Sequence, residues 1–180
     1  MKPEPEDTFK YNTVDWKNPS GPGRKELDPY IVSCAPPGVP RIWLVNAPFE
    51  IIHRPGRVIL FYEADHTFRQ VWTDGRGHPG DFAKNWTGHS TGTWEGDTLV
   101  IDTVRLNGAT WLDNSGHAFS DEMHLTERIR RVDRNSLSIE VTFDDPKAFT
   151  KSWTGQRMAV LQPGRVIRED LACGGIMNGE

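Results

Sequence analysis

Gly92-Thr93-Trp94-Glu95-Gly96-Asp97-Thr98-Leu99-Val100-Ile101-Asp102 is the stretch that decides the fold. Threonine, tryptophan and β-branched aliphatic residues flank a Gly-Asp pair, the composition of two short strands joined by a tight turn. A turn at Gly96-Asp97 predicts Trp94 opposite Leu99 on one face of the hairpin.

The same grammar extends outward in both directions. Upstream, Phe49 to His53 reads as a strand ended by Arg54-Pro55-Gly56, and Val58 to Glu63 and Thr67 to Thr73 read as a hairpin around Ala64-Asp65-His66. With Asp65-His66 as the turn, Tyr62 is expected opposite Arg69 on one face and Glu63 opposite Phe68 on the other. Asp74 to Asp81 carries turn residues and no strand pattern. Downstream, Met123 to Val132 and Leu137 to Phe143 flank Asp133-Arg134-Asn135-Ser136, and Trp153 to Leu161 and Val166 to Cys173 flank Gln162-Pro163-Gly164-Arg165.

The total is eight or nine antiparallel strands with no helix longer than a turn or two. Closing such a meander removes its sheet edges, so an all-β, lipocalin-like closed barrel is expected, with a cupin-like jelly roll as the alternative. Residues 1–40 read as an irregular, Pro-rich arm, and residues 41–180 as a single barrel domain. The opening MKPEPEDTFKYNT has no hydrophobic signal region and reads as a disordered arm or the cut end of a mature chain.

Composition agrees. The 180 residues suit one domain, and 17 Gly and 13 Pro favour many turns over long helices. Hydrophobic residues are only 36%, but seven Trp and eight Phe concentrate apolar area in few positions. The net charge of −4 without a basic block argues against nucleic acid or an anionic membrane as partner, and no apolar run approaches a membrane span. Cys34 and Cys173 are either one long-range disulfide or two small buried residues, depending on compartment.

Tyr62-Glu63, Phe68-Arg69, Thr73-Asp74-Gly75-Arg76, His78-Pro79, the run GHSTGTWEGDTLV from Gly88, Trp111-Leu112-Asp113, Gly116-His117, Ser120, TERIRR from Thr126 and Asp144-Asp145-Pro146 form an ordered series of motifs. This series resembles a large family of proteins from soil bacteria, especially acidobacteria. The resemblance spans Tyr62 to Trp153 together with Cys34 and Cys173. It implies a barrel-like fold, an exported protein (periplasmic or secreted) and a Cys34–Cys173 bridge. It brings no activity with it.

The chemistry must therefore come from the residues themselves. Asp113 to Arg128 concentrates histidines, acids and hydroxyls. An imidazole exchanges protons near neutral pH, and a carboxylate against it fixes its tautomer. The turn at Gly116 could bring Asp113 to His117, or Asp113 could simply cap the turn. His117 and Asp113, with Tyr62 or Glu127 as the complementary proton partner, are the candidate catalytic residues. Arg69, Trp111, Glu63, His89 and Ser120 are the candidate substrate contacts. The hollow is expected to be wet and chargeable near the loop after Trp111. Of Trp72, Trp94, Trp111 and Trp153, two are expected to plug the barrel and Trp111 to touch a ligand.

His66, His78, His89, His117 and His124 match no recognised metal-ligand spacing, so no cofactor is expected. The leading expectation is a cofactor-independent acid–base enzyme (a lyase, isomerase or hydratase) acting on a small, partly apolar organic molecule. A periplasmic binding or carrier barrel and a metal-dependent barrel enzyme are the alternatives. Homo-oligomerisation is left open.

Overall fold

The computed structural model describes residues 1–15, 17, 18 and 21–168. Eight strands form one sheet in chain order: β1 (Phe49–Arg54), β2 (Arg57–Tyr62), β3 (Phe68–Trp72), β4 (His89–Glu95), β5 (Thr98–Val104), β6 (His124–Arg131), β7 (Ser136–Asp144) and β8 (Trp153–Val160). The all-β, lipocalin-like class expected from the sequence holds. The sheet curls as an open half-barrel, and β1 and β8 are not paired with each other.

Neighbours are antiparallel except β3 and β4, which run parallel through Val71↔Ser90 and Trp72↔Thr91. The turn-rich segment between these strands carries the chain back to start β4 beside β3 in the same direction. The Gly96-Asp97 hairpin forms as expected, with Trp94 opposite Leu99.

The β2–β3 hairpin is shifted. Leu60, not Tyr62, faces Arg69, and Phe61 faces Phe68. Asp65 and His66 both take positive φ, near 50°, and the Tyr62 N–H donates to the Thr67 carbonyl at 2.8 Å, so the loop has four residues rather than two. The slip is an even number of residues, so each side chain keeps its face. Tyr62 and Arg69 both point inward, as the alternation required. The ninth strand expected at Val166 to Cys173 is absent as far as Arg168, and its remainder, including Cys173 and its pairing with Cys34, lies outside the described residues.

The N-terminal region also corrects an expectation. Pro3–Asn12 forms a ten-residue helix, α1, rather than a disordered arm. Proline begins it, Glu4 and Glu6 sit in its first turn, and Lys10 reaches back to Glu6 at 3.0 Å. Its contribution to the interior comes from Phe9 and Asn12. After the short α2 (Pro29–Val32) the chain enters the concave side of the sheet, where Arg41–Trp43 forms a 3-10 turn.

There Val39, Ile42 and Trp43 pack into one core with Val58, Leu60, Tyr62, Ile101, Leu125, Ile139 and Phe143. Alternation along β2, β5, β6 and β7 puts these strand residues on the inner face. Burying each large apolar side chain contributes roughly 1.5–3 kcal/mol. An open eight-stranded half-barrel cannot cover its own inner face, and residues 39–43 supply the missing wall. The interior of the sheet is therefore a packed core rather than the expected wet hollow.

Candidate functional site

Arg69 on β3 and Glu127 on β6 meet across the inner face, only 2% and 0% exposed. Arg69 Nη1 donates to Glu127 Oε1 at 2.7 Å and its Nη2 donates to Oε2. Two further bonds hold the guanidinium: Nε donates to Ser90 Oγ at 2.9 Å, and Nη2 also reaches Thr103 Oγ1. Trp43 Nε1 donates to Glu127 Oε1 at 2.5 Å, tying the segment before β1 to the ion pair. Burial opposes the guanidinium's charge, but Glu127 outweighs it and holds Arg69 above its ordinary pKa. Burial likewise pushes the Tyr62 phenol well above its usual range, against the opposing pull of Arg69. The Arg69–Glu127 pair is thus a buried, hydrogen-bonded core network, beside which the buried Tyr62 hydroxyl has no hydrogen-bond partner among the described residues.

The Asp113–His117 loop differs. His117 Nδ1 donates to Asp113 Oδ2 at 2.8 Å, while Asp113 Oδ1 accepts the Ser115 N–H at 2.9 Å. The contact with His117 and the turn cap, set against each other in the sequence, are both made by one carboxylate. The Leu112 N–H donates to the His117 carbonyl at 2.7 Å and closes the loop. Gly116 has φ of +95°, and a Cβ there would lie 2.7 Å from Asn12, so α1 requires glycine at this point. Phe9 of α1 stacks on the His117 ring, with centroids 4.1 Å apart and planes 10° from parallel. Burial raises the Asp113 pKa, but His117 and the backbone N–H groups outweigh it, leaving the carboxyl below its ordinary value. The side chains remain 27% and 17% exposed, respectively.

A cleft of about 140 Å³ opens next to this loop, between the arm and the β7–β8 end of the sheet. Its apolar walls include Trp43, Leu44, Phe143 and Trp153, and its polar groups include Asp113 and Arg157. Trp153 stacks on Phe143 at 4.0 Å.

The other expected contacts are dispersed. Ser120 donates its Oγ to Asp145 Oδ1 at 2.7 Å, far in role from His117, and Asp145 also accepts backbone N–H groups at Lys147 and Ala148. Glu63 accepts the Arg168 N–H at 2.9 Å and so fastens the segment that follows β8. Trp111 is buried under the arm, where a Cβ on Gly23 would come within 2.6 Å of its ring. Trp94 is exposed, and Trp72 lies under Arg76.

His89 belongs to a separate chain of groups on the opposite face. His89 Nδ1 contacts His78 Nδ1 at 2.7 Å, His78 Nε2 lies 3.6 Å from Asp102, and Asp102 bonds His124. Burial depresses the His89 pKa, and the bond to Asp102 raises that of His124. These groups form a line rather than converging, and no set of three or more metal-ligating side chains gathers among the described residues.

Sequence reasoning missed Asp28, Arg41 and Trp43. Arg41 makes a buried two-point pair with Asp28 at 2.6 and 2.5 Å, and its Nη2 donates to Asn114 Oδ1 at 3.0 Å, inside the candidate loop. Arginine and tryptophan two residues apart, just after the Pro-rich arm, were the available signal, since solvated segments seldom carry tryptophan. Among the described residues no helix is long and apolar enough to cross a membrane. Comparison with protein-family models, with curated proteins and with solved structures gave no match for this chain.

Proposed function

We propose that this protein is a small-molecule binding barrel that takes a partly apolar organic molecule, about the size of one ring, into the cleft beside Asp113. The observation that carries this reading is the cleft itself: tryptophan, leucine and phenylalanine walls with Arg157 and Asp113 at its polar positions. An apolar cavity near 150 Å³ holds a single aromatic ring, and a few polar groups suffice to orient it. Arg157 suits a carboxylate or phenolate on that ring. An exported location, periplasmic or secreted, belongs to the same proposal and rests on the family resemblance of residues 62–153.

Gly155 lines the cleft, and a Cβ there meets only Trp153 and Phe143, at 3.7 and 3.8 Å. Gly155→Leu therefore fills the space without a backbone clash. Titration with benzoate and p-cresol, followed by tryptophan fluorescence, is expected to show saturable binding that weakens at least about tenfold in Gly155→Leu, with Tm retained. Equal affinity in the variant overturns the assignment.

A second reading, cofactor-independent proton transfer on the bound molecule, is favoured by the 2.8 Å His117–Asp113 contact. With Nδ1 held by Asp113, a neutral His117 carries its free lone pair on Nε2, the arrangement of a general base. This reading now rests on His117 and Asp113 alone, because Tyr62, Arg69 and Glu127 are sealed in the core. His117→Ala abolishing turnover of a cleft ligand while its binding survives would favour the enzyme; unchanged turnover would exclude this role.

A further inference from the structure

We propose a second, independent ligand site on the outer face of the sheet, at the β1–β2 turn, for an organic phosphate or similar dianion attached to a ring. A depression of about 490 Å³ there is lined by Arg54, Arg57, Ile59, Trp72, Asp74 and Arg76. The register places Arg54 directly opposite Arg57, and Arg57 directly opposite Trp72. Cross-strand partners share a face, so two guanidinium stems and an indole stand in one row.

Like charges directly opposed across a sheet destabilise it, and such pairs are ordinarily relieved by a nearby carboxylate. Here Asp74, the only carboxylate among the described residues that line the depression, is taken by Arg76: Nε reaches Oδ1 at 2.9 Å and Nη2 reaches Oδ2 at 2.5 Å. Among the described residues Arg54 and Arg57 have no ion-pair partner. The depression therefore keeps two uncompensated positive charges in a protein of net charge −4.

The rest of the lining is suited to a ring. Arg76 Cζ lies 3.5 Å from the Trp72 ring centroid, and Asp74 pins the guanidinium there. A pinned guanidinium against indole offers a stacking plane, and Ile59 adds apolar surface. Paired guanidinium forks match the oxygens of a phosphate group, with which arginine forms two-point hydrogen bonds. Nothing in this site is shared with the cleft beside Asp113, which lies at the β7–β8 end of the sheet.

The test is calorimetric titration of the full chain at low ionic strength with phenyl phosphate, and separately with inorganic phosphate. Phenyl phosphate is expected to bind, and to bind more tightly than phosphate alone. The exposed pair Arg54→Gln/Arg57→Gln should weaken both anions about tenfold or more without lowering Tm, and 0.5 M salt should do the same to the native protein. Trp72→Leu should weaken phenyl phosphate and leave phosphate unchanged. Undiminished phenyl phosphate binding in the double variant, or equal affinity for the two anions, overturns the proposal. Gly155→Leu should leave this binding intact, so its failure is distinguishable from that of the cleft.

Discussion

Arg69–Glu127 and Asp113–His117 are built from similar chemistry and lie in opposite surroundings. The first pair is sealed between the sheet and the arm, with Trp43, Ser90 and Thr103 meeting its polar atoms. The second is half-buried at the edge of a cleft, and Asp113 contributes to the cleft wall. Composition does not separate a structural pair from an available one. Access does, and access here is set by the path of residues 39–43.

The sharpest way to break the comparison is to remove one member of the sealed pair. Glu127→Gln leaves the Arg69 charge without its counterion in the core and is expected to cost about 3–5 kcal/mol in urea unfolding. Combining Arg69→Met with Glu127→Leu should recover much of that loss, because apolar replacements remove both desolvation penalties. A small effect of Glu127→Gln would mean that the interior is hydrated and the distinction fails.

Asp113→Asn should do far less. The amide oxygen can still accept the Ser115 N–H, so only the interaction with His117 is weakened, at about 1 kcal/mol. The pH dependence carries the signature. The Asp113 pKa is depressed in the folded protein, so its contribution is present above the unfolded value of 3.8 and is lost as pH falls through the lower folded value. The native unfolding free energy should decline there more steeply than that of Asp113→Asn.

The smallest effect is expected at the exposed Asp102–His124 contact. Its hydrogen bond to Asp102 raises the folded pKa of His124 above 6.5, so that stabilisation is complete below 6.5 and lost as pH rises through the folded value. Asp102 is depressed below 3.8 by the same bond, and its share is lost as pH falls through its folded value. The pair therefore contributes fully between about pH 4 and 6.5. NMR titration should place His124 above its unfolded value, and Asp102→Asn should return it toward 6.5, with almost no change in Tm.

The candidate loop was largely legible in the sequence because its parts are local. Asp113 and His117 are four residues apart, and Gly116 permits the return that joins them. Its supports were not legible. Phe9 against His117, Arg41 against Asn114 and Gly116 against Asn12 join positions separated by 73 or more residues. No periodicity in either segment specifies its partner. The sealed pair was half legible: Glu127 shares the parity of Met123 and Leu125, which pointed it inward, but inward meant a core rather than a pocket.

The sequence by itself determined the strands, most of their hairpins and the face each side chain takes, because alternation and turn chemistry act within a few residues. Even the two-residue shift at Asp65-His66 left Tyr62 and Arg69 on the expected side. Only the tertiary structure decided that β3 and β4 run parallel, that the sheet stays open, and that Val39, Ile42 and Trp43 occupy its concave side. The reason is physical: a strand pattern records that one face must leave water, but not which distant segment will cover it.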